Sequence, residues 1–292
     1  MRVLVTGASG FAGGYIAHKL ASTGVHVFAV TRKGEIPTCN FMDVEAAARL
    51  NVIKADLTTV TNLPPVDFIV HSAATSIWPG ITVDQMLSDN LSATQSVVDY
   101  ALNTDAKGMV FFSSLSTLGD IASPIVSETT PCINPDAYGL TKLLGERLLS
   151  DVADRLPSLS IRLPAVVGPG SKRNWLSECM RKLQAGEPLT YKNPEAQFNN
   201  ACHIADLTQM IIHWLSHPKD GAHMVVVGAN ETLMVKDVVG QLAKGLNTRS
   251  NIVVEDGQLR TFLIDFSYAQ TKFNYAPMSM SDLLDQFIKD NS

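Results

Sequence analysis

Short apolar runs and helical apolar stripes alternate along the first 165 residues of this chain. Val3, Leu4 and Val5, ending at Thr6, predict a short buried strand, and Ile16, Ala17 and Leu20 then share one face of a helix running from Gly13. Further strands are predicted at Val25–Thr31, near Asn51–Ala55, and at Phe68–Ala73, Gly108–Ser114 and Leu159–Leu163. Long helical patterns fall between them at Thr82–Leu102 and Pro135–Arg155, the latter signalled by Asn134 as a cap and Pro135 in the first turn. Strand–helix alternation of this kind builds an α/β fold, a doubly wound parallel sheet with helices on both faces and right-handed crossovers.

Past Gly170 the regularity breaks. Asn174–Ala185, Asp206–Ser216 and Val235–Leu246 read as helices and Ala222–Val227 as a strand, while Glu187–Asn200 is polar and irregular. The expected organisation is a dinucleotide-type domain over 1–165 and a smaller interleaved α/β lobe over 166–292, with 206–229 returning to the first sheet. A cleft between the lobes is the expected substrate site.

Composition narrows the field. With 46% hydrophobic and 17% charged residues the chain reads as a globular enzyme, and a net charge of −5 argues against a nucleic-acid binder. No apolar run reaches the roughly 18 residues of a membrane span, and no cleavable leader is evident, so a cytoplasmic protein is expected. Cys39, Cys132, Cys179 and Cys202 form no close pair, and neither a metal site nor a disulfide is expected.

Gly7, Gly10 and Gly13 sit between the first strand and the first helix, in the sequence TGASGFAG. Glycine allows a tight turn and close backbone approach, and a helix N-terminus offers free N–H groups to a pyrophosphate. This G-x-x-G-x-x-G spacing resembles the fingerprint of the extended short-chain dehydrogenase/reductases, a family of Rossmann-type nucleotide-sugar epimerases, dehydratases and reductases. The resemblance extends over essentially the whole chain. It implies that Gly7, Ser9, Gly10, Phe11, Ala12 and Gly13 cradle a dinucleotide, that Asp56 and Leu57 contact adenine, and that Ala73 and Ala74 form a small-residue loop over the cofactor.

The second strand ends in Arg32 and Lys33 with no acid before Glu35. Cations there can pair with a 2′-phosphate, so NADP is the expected cofactor and NAD the alternative.

Three tyrosines have Lys four residues later: Tyr15–Lys19, Tyr138–Lys142 and Tyr268–Lys272. Only Tyr138 opens a helix that follows a strand ending in serines, Ser113 and Ser114. Four-residue spacing puts Tyr138 and Lys142 on one helical face, where an ammonium could lower the phenol pKa. The resemblance implies that Tyr138 is the acid/base, Ser114 the oxygen-orienting donor, and Lys142 the partner of Tyr138 and of the nicotinamide ribose. Asn90 matches a family Asn that supports helix geometry or a proton relay, the bland alternative being a surface amide. Leu115-Ser116-Thr117 stands where family dehydratases carry Asp-Glu, which disfavours dehydration.

The substrate side departs further. Arg162-Leu-Pro-Ala-Val-Val-Gly-Pro resembles the family stretch beside nicotinamide, with Pro164 in a cofactor-contacting position, yet Ala165 and Val167 replace the family Asn and Tyr. Asn199 and Asn200 replace an Arg-Asp pair whose Arg often grips nucleotide phosphates, while His203 and Asp206 are kept. The expected activity is NADP-dependent reduction of a keto group, on a nucleotide-linked 4-keto sugar. The alternatives are a nucleotide-sugar C4 epimerase, a reductase of a non-sugar ketone, and a non-catalytic NADP sensor. A homodimer through the two long helices is also implied.

Overall fold

A computed structural model describes residues 1–37, 44–59, 63–76, 80–257 and 259–292. Cys39 lies outside the described residues. The chain divides into two compact units: 1–120, 131–162 and 211–225 form the first, and 121–130, 163–210 and 226–292 the second.

The first unit is built on strands β1 (Arg2–Thr6), β2 (His26–Thr31), β3 (Leu50–Lys54), β4 (Phe68–His71), β5 (Gly108–Ser114), β6 (Ser158–Leu163) and β7 (Ala222–Val226). They form one sheet in the order β7-β6-β5-β4-β1-β2-β3. β1 pairs in parallel with both β2 and β4, and the β2–β3 and β4–β5 pairs are parallel too. Strand order therefore reverses beside β1, and such a switch point leaves a crevice at the strand carboxyl ends. The central strands are apolar: Val3, Leu4, Val5, Ile69, Val70, Met109 and Val110 are fully buried, as a sheet covered on both faces requires, while the edge strand β3 is partly exposed.

Helices α1 (Phe11–Ser22), α2 (Val44–Ala48), α3 (Val83–Asn103) and α4 (Ala137–Asp151) belong to this unit. Thr82 caps α3 by accepting from the Gln85 amide. The cap of α4 differs from the expectation. Asp136, not Asn134, accepts from the Gly139 amide, at 2.7 Å. Asn134 instead adopts a left-handed backbone, φ +49°, and donates to Asp120. Asn tolerates that conformation, which frees the next acid to cap.

The second unit adds α5 (Trp175–Ala185), α6 (Ile204–Ser216, its second half counted with the first unit), α7 (Val235–Gly245), α8 (Ser267–Phe273) and α9 (Met280–Asp290). Its core gathers Leu176, Met180 and Leu183 of α5, Val238 and Leu242 of α7, and Leu283, Leu284 and Phe287 of α9. The sequence reading did not identify α8 or α9, although Ser279 caps α9 through the Asp282 amide just ahead of its apolar stripe. His203 bonds Asp290 at 2.8 Å, and Asp206 accepts from the Met278 amide. Among the described residues no helix is long and apolar enough to cross a membrane.

Candidate active site

Gly7 leaves β1 with φ +68°, a conformation open to glycine. A Cβ on Gly7 would fall 2.7 Å from the Ala73 amide nitrogen, and one on Gly13 would fall 2.5 Å from both the Gly7 carbonyl and Ser72 Oγ. Ser72 Oγ donates to the Thr6 carbonyl, and the Ala73 amide donates to Thr6 Oγ1, so the turns after β1 and β4 are locked together. The N-cap of α1 is Gly10, with no side-chain cap, which leaves first-turn amides available to an anion.

A cavity of about 460 Å³ opens here. It is lined by Gly7, Ser9 and Gly10, by Arg32 at the end of β2, by Asp56 and Leu57, and by Ala73 and Ala74. These are eight of the residues expected to hold the dinucleotide. The others stand apart from this lining: Phe11, Ala12, Gly13, Lys33, Tyr138 and Lys142 do not border it, and Pro164 belongs to the second unit. Gly13 instead packs the helix start against the glycine turn. The sequence reading missed Gln85, Ser88, Asp89 and Ser92 of α3, which form one wall. Their three- and four-residue spacing, polar within an otherwise amphipathic helix, was the available signal.

The lining has the chemistry a dinucleotide needs: a backbone turn closed to a Cβ at Gly7 and Gly13, uncapped helix amides, and a carboxylate acceptor at Asp56. Asp56 is held below the usual carboxylate range by hydrogen bonds from the Thr58 amide and hydroxyl, with burial opposing and Arg32 adding a small favourable charge. Arg32 is largely exposed, and its guanidinium approaches Asp89 at 4.0 Å.

Farther along the sheet edge, β5 delivers two serines with different fates. Ser113 is buried and donates to Glu146 at 2.6 Å, whereas Ser114 ends the strand half-buried. Ser114 Oγ accepts from the Ser116 amide at 3.1 Å and donates to Ser116 Oγ at 3.2 Å. Tyr138 and Lys142 share the inner face of α4, with Lys142 Nζ 5.8 Å from the Tyr138 ring centre. Burial pushes the Lys142 pKa down to about 8. The expected depression of the Tyr138 phenol by Lys142 is not found: burial, then the charge of Asp136, pushes it up to about 12. A lysine whose own charge is disfavoured lends little field to its neighbour.

Asn90 is buried, not a surface amide. It receives the Thr75 amide, and its Nδ2 donates to the Thr75 carbonyl and to Thr141 Oγ1, joining α3 to α4. His71 is sealed between Thr6 and Thr94, and burial lowers its pKa to about 3. Tyr15 lies on α1, and Tyr268 packs edge-on against Phe273 in α8.

Residues 3–228 match the model of the NAD dependent epimerase/dehydratase family. A protein of Bacillus subtilis (strain 168) described as the uncharacterized UDP-glucose epimerase YtcB is 26% identical, over 95% of this chain and 93% of its own. D-erythronate dehydrogenase of Cupriavidus necator is 29% identical, over 78% and 72%. The structure of MoeE5 in complex with UDP-glucose and NAD superposes with a TM-score of 0.83 at 25% identity, covering 99% of this chain and 98% of that one.

Proposed function

We propose that this chain, an enzyme that belongs to the NAD-dependent epimerase/dehydratase family, is an NADP-dependent reductase of a sugar keto group, acting on a nucleotide-linked 4-keto sugar. The carrying observation is the placement of Tyr138 and Lys142 on one face of α4, where Gly139 lies against the Ser116 carbonyl just past Ser114 at the end of β5. That face offers a phenol as proton donor and a serine hydroxyl to one substrate oxygen.

Gly7, Ser9 and Gly10, with Asp56 and Leu57, would hold a nicotinamide dinucleotide, which would supply the hydride. The chain's own residues do the rest. Ser114 Oγ turns from Ser116 to the substrate oxygen and orients it. Tyr138 gives that oxygen its proton. Lys142, neutral or charged within one unit of physiological pH, holds the ribose and replenishes the tyrosine proton. Arg32 supports the preference for NADP, since its exposed guanidinium borders the pocket where a 2′-phosphate is expected.

C4 epimerisation is the second reading, favoured by the description of the Bacillus subtilis relative as a UDP-glucose epimerase. The two separate cleanly in a coupled assay. UDP-4-keto-6-deoxyglucose with NADPH should consume NADPH stoichiometrically. Conversion of UDP-glucose to UDP-galactose with no net change in coenzyme would establish the epimerase instead. The same reading includes a homodimer through α3 and α4, where Leu140 and Leu144 are exposed apolar residues. Light scattering at micromolar concentration should then give twice the chain mass.

A further inference from the structure

Tyr138, Lys142 and Glu146 succeed one another at four-residue intervals along α4, on one face of the helix. Glu146 is the least conspicuous of the three and the most heavily bonded. Its Oε1 accepts from Ser113 Oγ at 2.6 Å and from Arg162 Nε at 2.9 Å, and its Oε2 accepts from Arg162 Nη2 at 2.7 Å. The side chains of Arg162 and Glu146 are only 5% and 11% exposed. Ser113 immediately precedes Ser114 in β5, and Arg162 lies in β6. One carboxylate therefore ties the helix of Tyr138 and Lys142 to two strands, one turn from Lys142 and one residue from Ser114.

The helix is laid close on what lies beneath it. A Cβ on Gly139 would overlap the Ser116 carbonyl, and one on Gly145 would come 2.5 Å from the Phe111 ring. Contacts this tight make the depth of α4 sensitive to its anchor. Stability alone is a poor reason for the anchor. A buried ion pair roughly breaks even against apolar residues of the same volume. Arg162 Nη1 is also buried with no hydrogen-bond partner among the described residues, which adds to the cost. A bidentate fork does fix distance and direction, because two parallel bonds resist both sliding and rotation.

We propose that Glu146, through Arg162 and Ser113, is a positioning residue that sets the depth and register of α4 on β5, and with them the spacing of Lys142 and Tyr138 from Ser114. The geometry stands by itself. Its consequence for coenzyme binding rests on the roles proposed above for Lys142.

The test is the double variant Glu146→Met/Arg162→Met, which removes both charges and leaves neither unpaired. Lys142 is followed by NMR of protein carrying lysine labelled at Cε, its signal assigned with Lys142→Met. The double variant should melt within a few degrees of the parent. Its Lys142 midpoint should rise by about one unit or more toward the ordinary value near 10.4, as a displaced helix admits water. Unchanged melting with an unchanged midpoint would overturn the proposal. If the double variant does not fold, Glu146→Gln decides by sign. Losing a nearby carboxylate lowers a lysine pKa through its direct field, so a rise reports displacement, and a fall or no change rejects it. NADPH affinity is the second reading. It should weaken about tenfold in the double variant, the size of one lost hydrogen bond. Should Lys142→Ala leave NADPH affinity intact, the ribose role of Lys142 fails while the titration still judges Glu146.

Discussion

Lys142 Nζ stands 5.0 Å from the centre of the Phe111 ring, in a site where the lysine is only 3% exposed. The aromatic face offsets part of the lost hydration, yet burial still brings the lysine pKa to about 8.

That depression fixes a pH dependence. Between about pH 8 and pH 10.5 the unfolded chain holds the Lys142 proton and the folded chain does not, so stability rises with pH across this window. Below pH 8 the folded protein carries the full cost. Lys142→Met should therefore be more stable than the parent at pH 7, by on the order of 3 kcal/mol. The advantage should shrink to nothing by about pH 10.5. Urea unfolding at pH 7, 9 and 10.5 measures it, and an advantage constant with pH would refute the assignment.

Tyr138→Phe retains the ring and deletes the proton donor. Turnover of the keto sugar should fall by about 10²–10⁴-fold. NADPH affinity should barely change, since the glycine turn at Gly7, Gly10 and Gly13 is untouched. Tyr15→Phe and Tyr268→Phe should remain active. Stopped-flow hydride transfer compares all three, and a silent Tyr138→Phe would point to another Tyr-x-x-x-Lys pair.

Arg32→Asp addresses coenzyme choice. Arg32 is the cation lining the pocket at the end of β2, with Asp89 as a distant and weakly engaged partner. The parent should bind NADPH more tightly than NADH, and the variant should reverse or erase that order. Equal binding of the two coenzymes by the parent, measured by nicotinamide fluorescence, would remove the argument from Arg32.

Gly13→Ala probes the cradle. The added carbon meets the Gly7 carbonyl and Ser72 Oγ at 2.5 Å. Backbone must shift to admit it, at a cost of about 1–3 kcal/mol. Thermal melting should show the loss, and both coenzymes should bind more weakly in parallel.

Much of the first unit was legible in the chain because its signals are local. Buried parallel strands are short continuous apolar runs, so Gly108–Ser114 was read at its actual bounds. The glycine turn and Tyr138-x-x-x-Lys142 are contiguous spacings that a strand-turn-helix unit must display in sequence. Helices α8 and α9 are short, and their local signals are correspondingly brief: the cap at Ser279 and the stripe from Leu283 to Ile288 mark α9 over only about three turns.

Other features exist only when distant segments meet. Nothing local separates Ser113 from Ser114. Strand pleating turns one toward Glu146 and leaves the other at the strand end. Burial in the folded unit, not the neighbouring Lys142, set the Tyr138 pKa, because desolvation depends on every residue packed around the phenol. The pocket wall from α3 and the Glu146–Arg162 anchor likewise join residues far apart in the chain. The sequence by itself determined which segments pair, turn and coil, since periodicity and glycine placement are properties of neighbours. Tertiary structure alone decided which polar atoms are spent on one another and which remain for a ligand, since that follows from burial and distance across the sheet.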